Sequence, residues 1–396
     1  MKLSSRLSAI APSATMAIDA RQKAMTREGR PVISFGAGEP DFPTPAPIAA
    51  AGISAIEAGF TKYTALSGIP ELREAVCMRL NCDLGLAYSP DQITITSGAK
   101  AALFNAFQAL LNPGDEVIIP SPNWVSYEAQ VLLAGGVPVI VPTTEADGFK
   151  LDPGSLRRHI TSRTRLLVLN SPCNPTGAVY SAGELRGLGA ELLDSEIGVV
   201  SDEIYQRISY DGPSASFAAS VPEMAGRTIL VNGASKSYSM TGWRIGFAAG
   251  PLEVIAAMNG IQSHSTSNAS SVSQYAALKA FSDSQAEVDK MCVAFRQRRD
   301  VIVSLLNQIP GIRCSMPSGA FYAFPNVDGA VARLSESTSV KSSSDLAEYL
   351  LESVYVATVP GEAFGAPGYL RLSFACGMPA IQEGIARIRE AVTGVR

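Results

Sequence analysis

Short apolar runs alternate with helix-like stretches through the middle of this chain, and each run ends in a polar or glycine-containing turn. Residues 92–96 (QITIT) alternate apolar and polar positions and stop at Ser97-Gly98, where residues 99–111 (AKAALFNAFQALL) take on helix-forming composition. Further strands are predicted at 117–119, 138–141, 165–169, 197–200, 228–231 and 245–248, with helices at 124–134 and 181–194 between them. This alternation predicts a mainly parallel sheet covered on both faces. A long charged helix is expected over 286–306 and a strand over 369–374. The segment before residue 45 is rich in Pro and Gly, and the Ser-rich stretch 335–344 reads as a surface loop. The expected organisation is a large α/β domain over 46–290 and a small domain built from both chain ends, 1–45 and 291–396.

Composition narrows the function classes. A chain of 396 residues exceeds one ordinary core, which favours two lobes. With 17% charged and 46% hydrophobic residues it reads as a soluble, well-packed protein. A net charge of −4 argues against nucleic acid or an anionic membrane as partner. No run approaches the ~18 apolar residues of a spanning helix. Met1-Lys-Leu-Ser-Ser-Arg-Leu lacks the apolar core of a secretory signal. The six cysteines form no C-x-x-C pair and the only histidines are His159 and His264, so no zinc site is expected. Scattered cysteines read as reduced core residues of a cytoplasmic protein. With so few histidines, acid–base chemistry falls to lysine or a carboxylate.

Ligands of open α/β sheets bind beyond the carboxyl ends of the strands, so the residues following each strand carry the candidate chemistry. Ser97-Gly98-Ala99-Lys100 opens a helix whose free N–H groups and dipole suit a phosphate, although many helices begin this way. Asn170-Ser-Pro-Cys-Asn174-Pro175-Thr-Gly177 presents the Asn174 amide, or is an ordinary turn. Ser201-Asp202-Glu203-Ile-Tyr205 places a carboxylate and a phenol at the sheet edge, with a helix cap as the plainer account of Asp202. After the fourth comes Asn232-Gly-Ala-Ser-Lys236, a lysine in a small-residue loop with no carboxylate between Glu223 and Glu253. Arg227 and Arg244 share that acid-free window, and a cationic neighbourhood lowers the lysine pKa toward a usable nucleophile. A solvated loop lysine is the plain alternative. Together the clusters supply a phosphate cradle, a carboxylate, a phenol, an amide and a reactive amine, an inventory that fits pyridoxal 5′-phosphate.

Gly233-Ala-Ser-Lys236 followed by Gly242-Trp-Arg244-Ile-Gly246 resembles the cofactor-attachment motif of class I aminotransferases, fold type I pyridoxal-phosphate-dependent transferases. Asn174-Pro-Thr-Gly177, Ser201-Asp-Glu-Ile-Tyr205 and Tyr369-Leu-Arg371-Leu-Ser-Phe match that family in order and spacing, over nearly the whole chain. The resemblance implies a large sheet domain sandwiched by helices plus a smaller α+β domain. It implies that Lys236 carries the cofactor as a Schiff base and moves the substrate proton, while Asp202 keeps the ring nitrogen protonated. Tyr205 and Asn174 match the pair that bonds the ring oxygen, and Trp124 the residue stacked on the ring. Ser97, Gly98, Ala99, Ser235 and Arg244 match phosphate-binding positions. Tyr63 is similar to a tyrosine that reaches the phosphate from the neighbouring subunit, which implies a homodimer.

Arg371 resembles the arginine that binds the substrate α-carboxylate, a task for which its planar fork suits it. On pattern alone it reads as an outward charge on an amphipathic strand. Gly38 matches a backbone position beside the same carboxylate, or is a plain turn glycine. Pro12-Ser-Ala-Thr15 and Ser97-Gly-Ala-Lys100 are similar to the bacterial branch of aspartate aminotransferases. There Lys100 would hold the side-chain carboxylate of aspartate or glutamate, and Ser13 and Thr15 would close over the substrate. Ala11 stands where members that also accept prephenate often carry a basic residue, which lowers the expectation for that activity. The resemblance also implies cis Ser121-Pro122 and Asn174-Pro175. The expected reaction moves an amino group between aspartate or glutamate and 2-oxoglutarate or oxaloacetate. A lyase of the same fold, or an aminotransferase for aromatic, prephenate-type or aliphatic donors, would share the cofactor residues. A transcription regulator would need an added DNA-binding domain, for which no N-terminal extension or basic region is seen. A nicotinamide dehydrogenase would need a G-x-G-x-x-G after a strand, and none follows.

Overall fold

Alternate residues of the central strands point to opposite faces, and because both faces are apolar the predicted runs pair into one buried sheet. The computed structural model describes residues 14–394 together with Ser4 and Ile10; the side chains of residues 14–17 and 19 fall outside that description. In chain order the strands are β1 (Ile33–Ser34), β2 (Ile93–Thr96), β3 (Glu116–Ser121), β4 (Val137–Pro142), β5 (Thr164–Asn170), β6 (Gly198–Asp202), β7 (Thr228–Gly233), β8 (Gly246–Ala249), β9 (Tyr322–Ala323), β10 (Val356–Ala357), β11 (Val359–Pro360) and β12 (Leu370–Ser373). Seven of them form the main sheet, ordered β2-β8-β7-β6-β5-β3-β4. Its pairs are parallel except those of β8, which is antiparallel to both β2 and β7.

Val117 and Ile119 of β3 and Leu166 and Val168 of β5 pack on one face with Leu103, Ala106 and Phe107 of the helix Ala99–Leu110. Ile118, Leu167 and Leu169 face the other side, against Leu185 and Leu188 of the helix Ala182–Ala190. Each fully buried aliphatic side chain contributes about 1.5–3 kcal/mol, so the helices are held against the sheet rather than by their own propensity.

Outside the main sheet, β1 pairs in parallel with β10, and β11-β12-β9 form a second, antiparallel sheet. A strand near the start of the chain thus pairs with one near its end. The helix Ala286–Leu306 has the predicted bounds. Three readings are corrected. The Ser-rich stretch is a loop only in its first part: Ser342 caps the helix Ser343–Val354, accepting a hydrogen bond from the Asp345 N–H. The Pro- and Gly-rich segment before residue 45 also contains a helix, Ala14–Arg27, which holds none of the segment's Pro or Gly. Cys82 is exposed rather than a core residue, and the six cysteines are free thiols. Among the described residues no helix is long and apolar enough to cross a membrane.

Two glycines set how closely the site loops approach. Gly233 and Gly246 face each other across β7 and β8. A Cβ on Gly246 would overlap the Ala99 backbone nitrogen and the Gly98 carbonyl carbon. Gly246→Ala therefore pushes the sheet away from a helix N-terminus and is expected to cost about 2–4 kcal/mol, read as a drop in thermal midpoint.

Candidate active site

The register aligns the ends of successive strands. Asn170 pairs with Asp202 across β5 and β6, and Asp202 with Val231 across β6 and β7. Thr96, at the end of β2, pairs with Gly246 at the start of β8. The four polar clusters that follow β2, β5, β6 and β7 therefore open at one edge of the sheet, around a cavity of about 420 Å³. Gly38, Ala99, Lys100, Trp124, Asn174, Asp202, Tyr205, Ser235, Lys236, Arg244 and Arg371 all line it. Of the other expected site residues, Ser97 and Gly98 lie beside Arg244 just behind the lining. Tyr63 is 90% exposed and outside the cavity. The Thr15 side chain, Ser13 and Ala11 fall outside the described residues. The Ser121-Pro122 and Asn174-Pro175 bonds are cis, and so is Ser171-Pro172.

Lys236 lines the cavity together with Asp202 and Arg371, two buried groups of opposite sign. Its Nζ donates to the Gly38 carbonyl at 2.6 Å. Asp202 is 3% exposed; its Oδ2 accepts from the Tyr127 hydroxyl at 2.7 Å and its Oδ1 from the Ile204 N–H at 3.2 Å. Burial raises the Asp202 pKa to about 6 against the pull of those donors and of Lys236. Burial likewise lowers the Lys236 pKa to about 8. This corrects the reason drawn from the sequence window. Desolvation is the larger cause, Arg244 and Arg371 add to it, and Glu39 and Asp202, brought in from other elements, oppose it. Arg227 takes no part, because it sits at the far end of β7, donating to the Leu192 and Leu193 carbonyls.

Arg371 is buried, not the outward charge that strand alternation allows. It lies in the middle strand of the small sheet, 3% exposed, with its guanidinium between the rings of Tyr322 (4.6 Å) and Phe364 (5.0 Å). Its Nη1 donates to Asn174 Oδ1 at 3.0 Å and its Nη2 to the Gly36 carbonyl at 2.8 Å. Its Nε is buried with no partner, and among the described residues no carboxylate pairs with it. An uncompensated buried cation is costly, which makes this a candidate position for an anion.

A second anion position lies at the other end of the cavity. The helix Ala99–Leu110 begins at Gly98 (φ 85°) with no side-chain cap and no acidic residue in its first turn. Arg244, in the left-handed conformation (φ 57°), donates from Nη1 to the Thr241 carbonyl at 3.0 Å and from Nη2 to the Ser97 carbonyl at 3.4 Å. A Cβ on Gly98 would run into that guanidinium. Free helix N–H groups and a fixed cation together make a phosphate-sized cradle. Lys100 holds its ammonium 4.8 Å from the centre of the Trp124 ring; burial and then Arg244 lower its pKa.

The family model for class I and II aminotransferases matches residues 30–388. This chain belongs to that family. Among curated aminotransferases it is 47% identical over 389 residues to the aspartate aminotransferase of Geobacillus stearothermophilus, covering 98% of both chains. It is 46% identical to the aspartate/prephenate aminotransferase of Nitrosomonas europaea, covering 98% of this chain and 99% of that one. The solved aspartate aminotransferase of Rhizobium meliloti superposes with a TM-score of 0.95 at 44% identity, over 99% of each chain. That of Thermus thermophilus with maleate gives 0.93 at 41%, over 99% of this chain and all of the other.

The fold of this aminotransferase adds residues that the sequence did not single out. Tyr127, one helical turn beyond Trp124, bonds Asp202 and meets Trp124 edge to face at 5.3 Å. Its i, i+3 spacing from Trp124 was the available signal. Tyr322 comes from the distant small sheet to bond Tyr205, and no local motif announces it. Glu39, which also lines the cavity, accepts from the Thr241 hydroxyl at 2.7 Å.

Proposed function

We propose that this aminotransferase uses pyridoxal 5′-phosphate and exchanges the amino group of L-aspartate or L-glutamate with 2-oxoglutarate or oxaloacetate, in two half-reactions on one site. The observation that carries the reading is the set of charged groups around one cavity: a candidate phosphate cradle, a buried acid, an amine, and a buried guanidinium without a counter-ion among the described residues. The fit to the cofactor rests on Gly98, where a Cβ would fill the cradle, and on Asp202, enclosed where it can face a ring nitrogen.

Bound there, pyridoxal phosphate would supply an aldehyde for Lys236 and a cationic ring that takes up an electron pair from the substrate Cα. Ser97, Gly98, Ala99, Ser235 and Arg244 would hold the phosphate. Asp202 would hold the proton on the ring nitrogen, steadied by Tyr127, and Trp124 would cover the ring. Tyr205 would donate to the ring oxygen together with the Asn174 amide, whose oxygen is already taken by Arg371. Lys236 would move the proton between Cα and the cofactor carbon C4′, being the one base tethered at that place. Arg371 would take the substrate α-carboxylate in a fork, beside the Gly38 backbone, and Lys100 the second carboxylate of a dicarboxylic substrate, with Thr15 closing over it. Arg371→Lys removes the fork but keeps the charge. It is expected to raise KM for aspartate by roughly 100-fold with a smaller change in kcat, read by steady-state kinetics.

The assembly in this reading is a homodimer in which Tyr63 completes the neighbouring site. Exposed Ile53, Ile56, Phe60 and Tyr63 within eleven residues supply an apolar patch for it. The large domain is taken as residues 46–290 and the small one as 1–45 and 291–396. The deciding experiment is an amino-donor panel with 2-oxoglutarate as acceptor, read by product. Aspartate is expected to exceed aromatic and aliphatic donors, and better turnover of the latter would overturn the specificity. Pyruvate and ammonia formed without any acceptor would instead identify a lyase. Because some relatives are named for prephenate, that acceptor belongs in the panel, with low turnover expected from Ala11.

A further inference from the structure

Two phenols meet where the cofactor and substrate positions adjoin. The Tyr205 and Tyr322 hydroxyls are 2.8 Å apart, with Tyr205 4% exposed and Tyr322 fully buried. Tyr322 belongs to β9, next to the strand that carries Arg371, and its ring lies 4.6 Å from the Arg371 guanidinium carbon. Its hydroxyl also closes over Gly38, where an added Cβ would sit 3.2 Å away. Tyr322 therefore touches three of the groups that the proposed function uses, yet it belongs to no motif around Lys236.

We propose that Tyr322 is a positioning residue that links cofactor and substrate binding: its hydroxyl directs the Tyr205 proton, and its ring face seats Arg371. This rests on the function proposed above. Only one proton of the phenol pair is needed for the bond between them. Tyr205 is the only acceptor that the described residues offer the Tyr322 hydroxyl. Tyr322 donating to the Tyr205 oxygen leaves the Tyr205 proton for the cavity, where the ring oxygen would sit. Burial raises the pKa of both phenols, so both keep their protons and the pair has one donor to spare. A phenol that accepts one hydrogen bond becomes a better donor in the next. The ring face contributes separately, since a guanidinium over an aromatic surface keeps its charge with little hydration.

Two substitutions separate the roles. Tyr322→Phe keeps the ring and removes the hydroxyl. A weaker Tyr205 bond lets the cofactor ring oxygen hold the neighbouring Lys236 proton more strongly. The pH midpoint of the visible absorbance of the pyridoxal-phosphate-loaded protein is then expected to rise by about half a pH unit. Its Kd for maleate, a dicarboxylate that cannot react, should stay within about twofold of wild type. Tyr322→Met keeps the bulk without a π face and should move both readouts, weakening maleate by roughly tenfold. A Tyr322→Phe midpoint equal to wild type would remove the hydroxyl's role, and wild-type maleate affinity in Tyr322→Met would remove the ring's. The Phe variant, a deletion of one atom, decides the first point whether or not the Met variant folds. If instead the wild-type protein takes up no pyridoxal phosphate, the functional reading itself fails, which these outcomes distinguish.

Discussion

With Lys236→Ala, kcat for transamination is expected to fall by more than about 10⁴-fold, because in the proposed function one side chain is both the cofactor anchor and the base. The ammonium is mostly enclosed and its pKa stands at about 8 in the fold, below its ordinary value. The sign matters for reading the variant. A lysine whose folded pKa is depressed is a cost to the fold below that pH, so at pH 7 its removal does not unfold the protein. The loss should then be chemical, with thermal unfolding of the cofactor-free protein unchanged or slightly improved. A small primary amine added to the variant is expected to restore a minor fraction of turnover. The fraction is small because a free amine lacks the tether, an advantage that reaches about 10⁵ M or more in effective concentration. Retention of substantial activity without added amine would mean that another group is the base.

Asp202→Asn is the second large effect, and it separates function from stability. The amide keeps one bond and reverses the other: its oxygen accepts from the Ile204 N–H, and its NH2 donates to the Tyr127 hydroxyl, whose own proton then loses its acceptor at a cost of about 1–3 kcal/mol. What it cannot do is hold a proton on a ring nitrogen, so kcat is expected to fall by about 10³-fold. Stability should not fall with it. The folded pKa of Asp202 is raised to about 6, above its ordinary 3.8. For such a group the fold is favoured below the unfolded pKa, and that advantage is lost as pH rises through the folded one. In the cofactor-free protein the charged carboxylate thus costs the fold on the order of 3 kcal/mol above pH 6. Asp202→Asn should therefore melt no lower than wild type at pH 8, the cost of the charged carboxylate offsetting the lost Tyr127 bond, with the balance shifting against the variant toward pH 4.5. A lower midpoint at pH 8 would show that the carboxylate stabilises the fold and is no functional strain.

How much of this was readable beforehand follows from the range over which each determinant acts. Strand and helix order through residues 92–306 is a local pattern of apolar periodicity, and each of the seven main strands formed close to where that pattern puts it. The cofactor-side residues follow strand ends, so the parallel register that aligns those ends gathers them without further information. The helix Ala14–Arg27 lies in a segment whose Pro and Gly read as irregular chain, yet it contains neither residue. The Ser-rich stretch was half misread because Ser342 is a cap, and a capping serine and a loop serine look alike until the next turn is seen.

By itself the sequence determined the fold class and the family, and it singled out Lys236 as the candidate nucleophile, because those depend on spacing along the chain. Only the tertiary structure decided the electrostatics. The window around Lys236 has no acid in sequence, yet Glu39 and Asp202 reach it in space, and burial rather than neighbouring cations sets its pKa. Arg227 is near in sequence and absent from the cavity, while Arg371 and Tyr322 are more than eighty residues away and line it. The physical reason is that charge and desolvation act through distance and solvent exclusion, which chain separation does not encode.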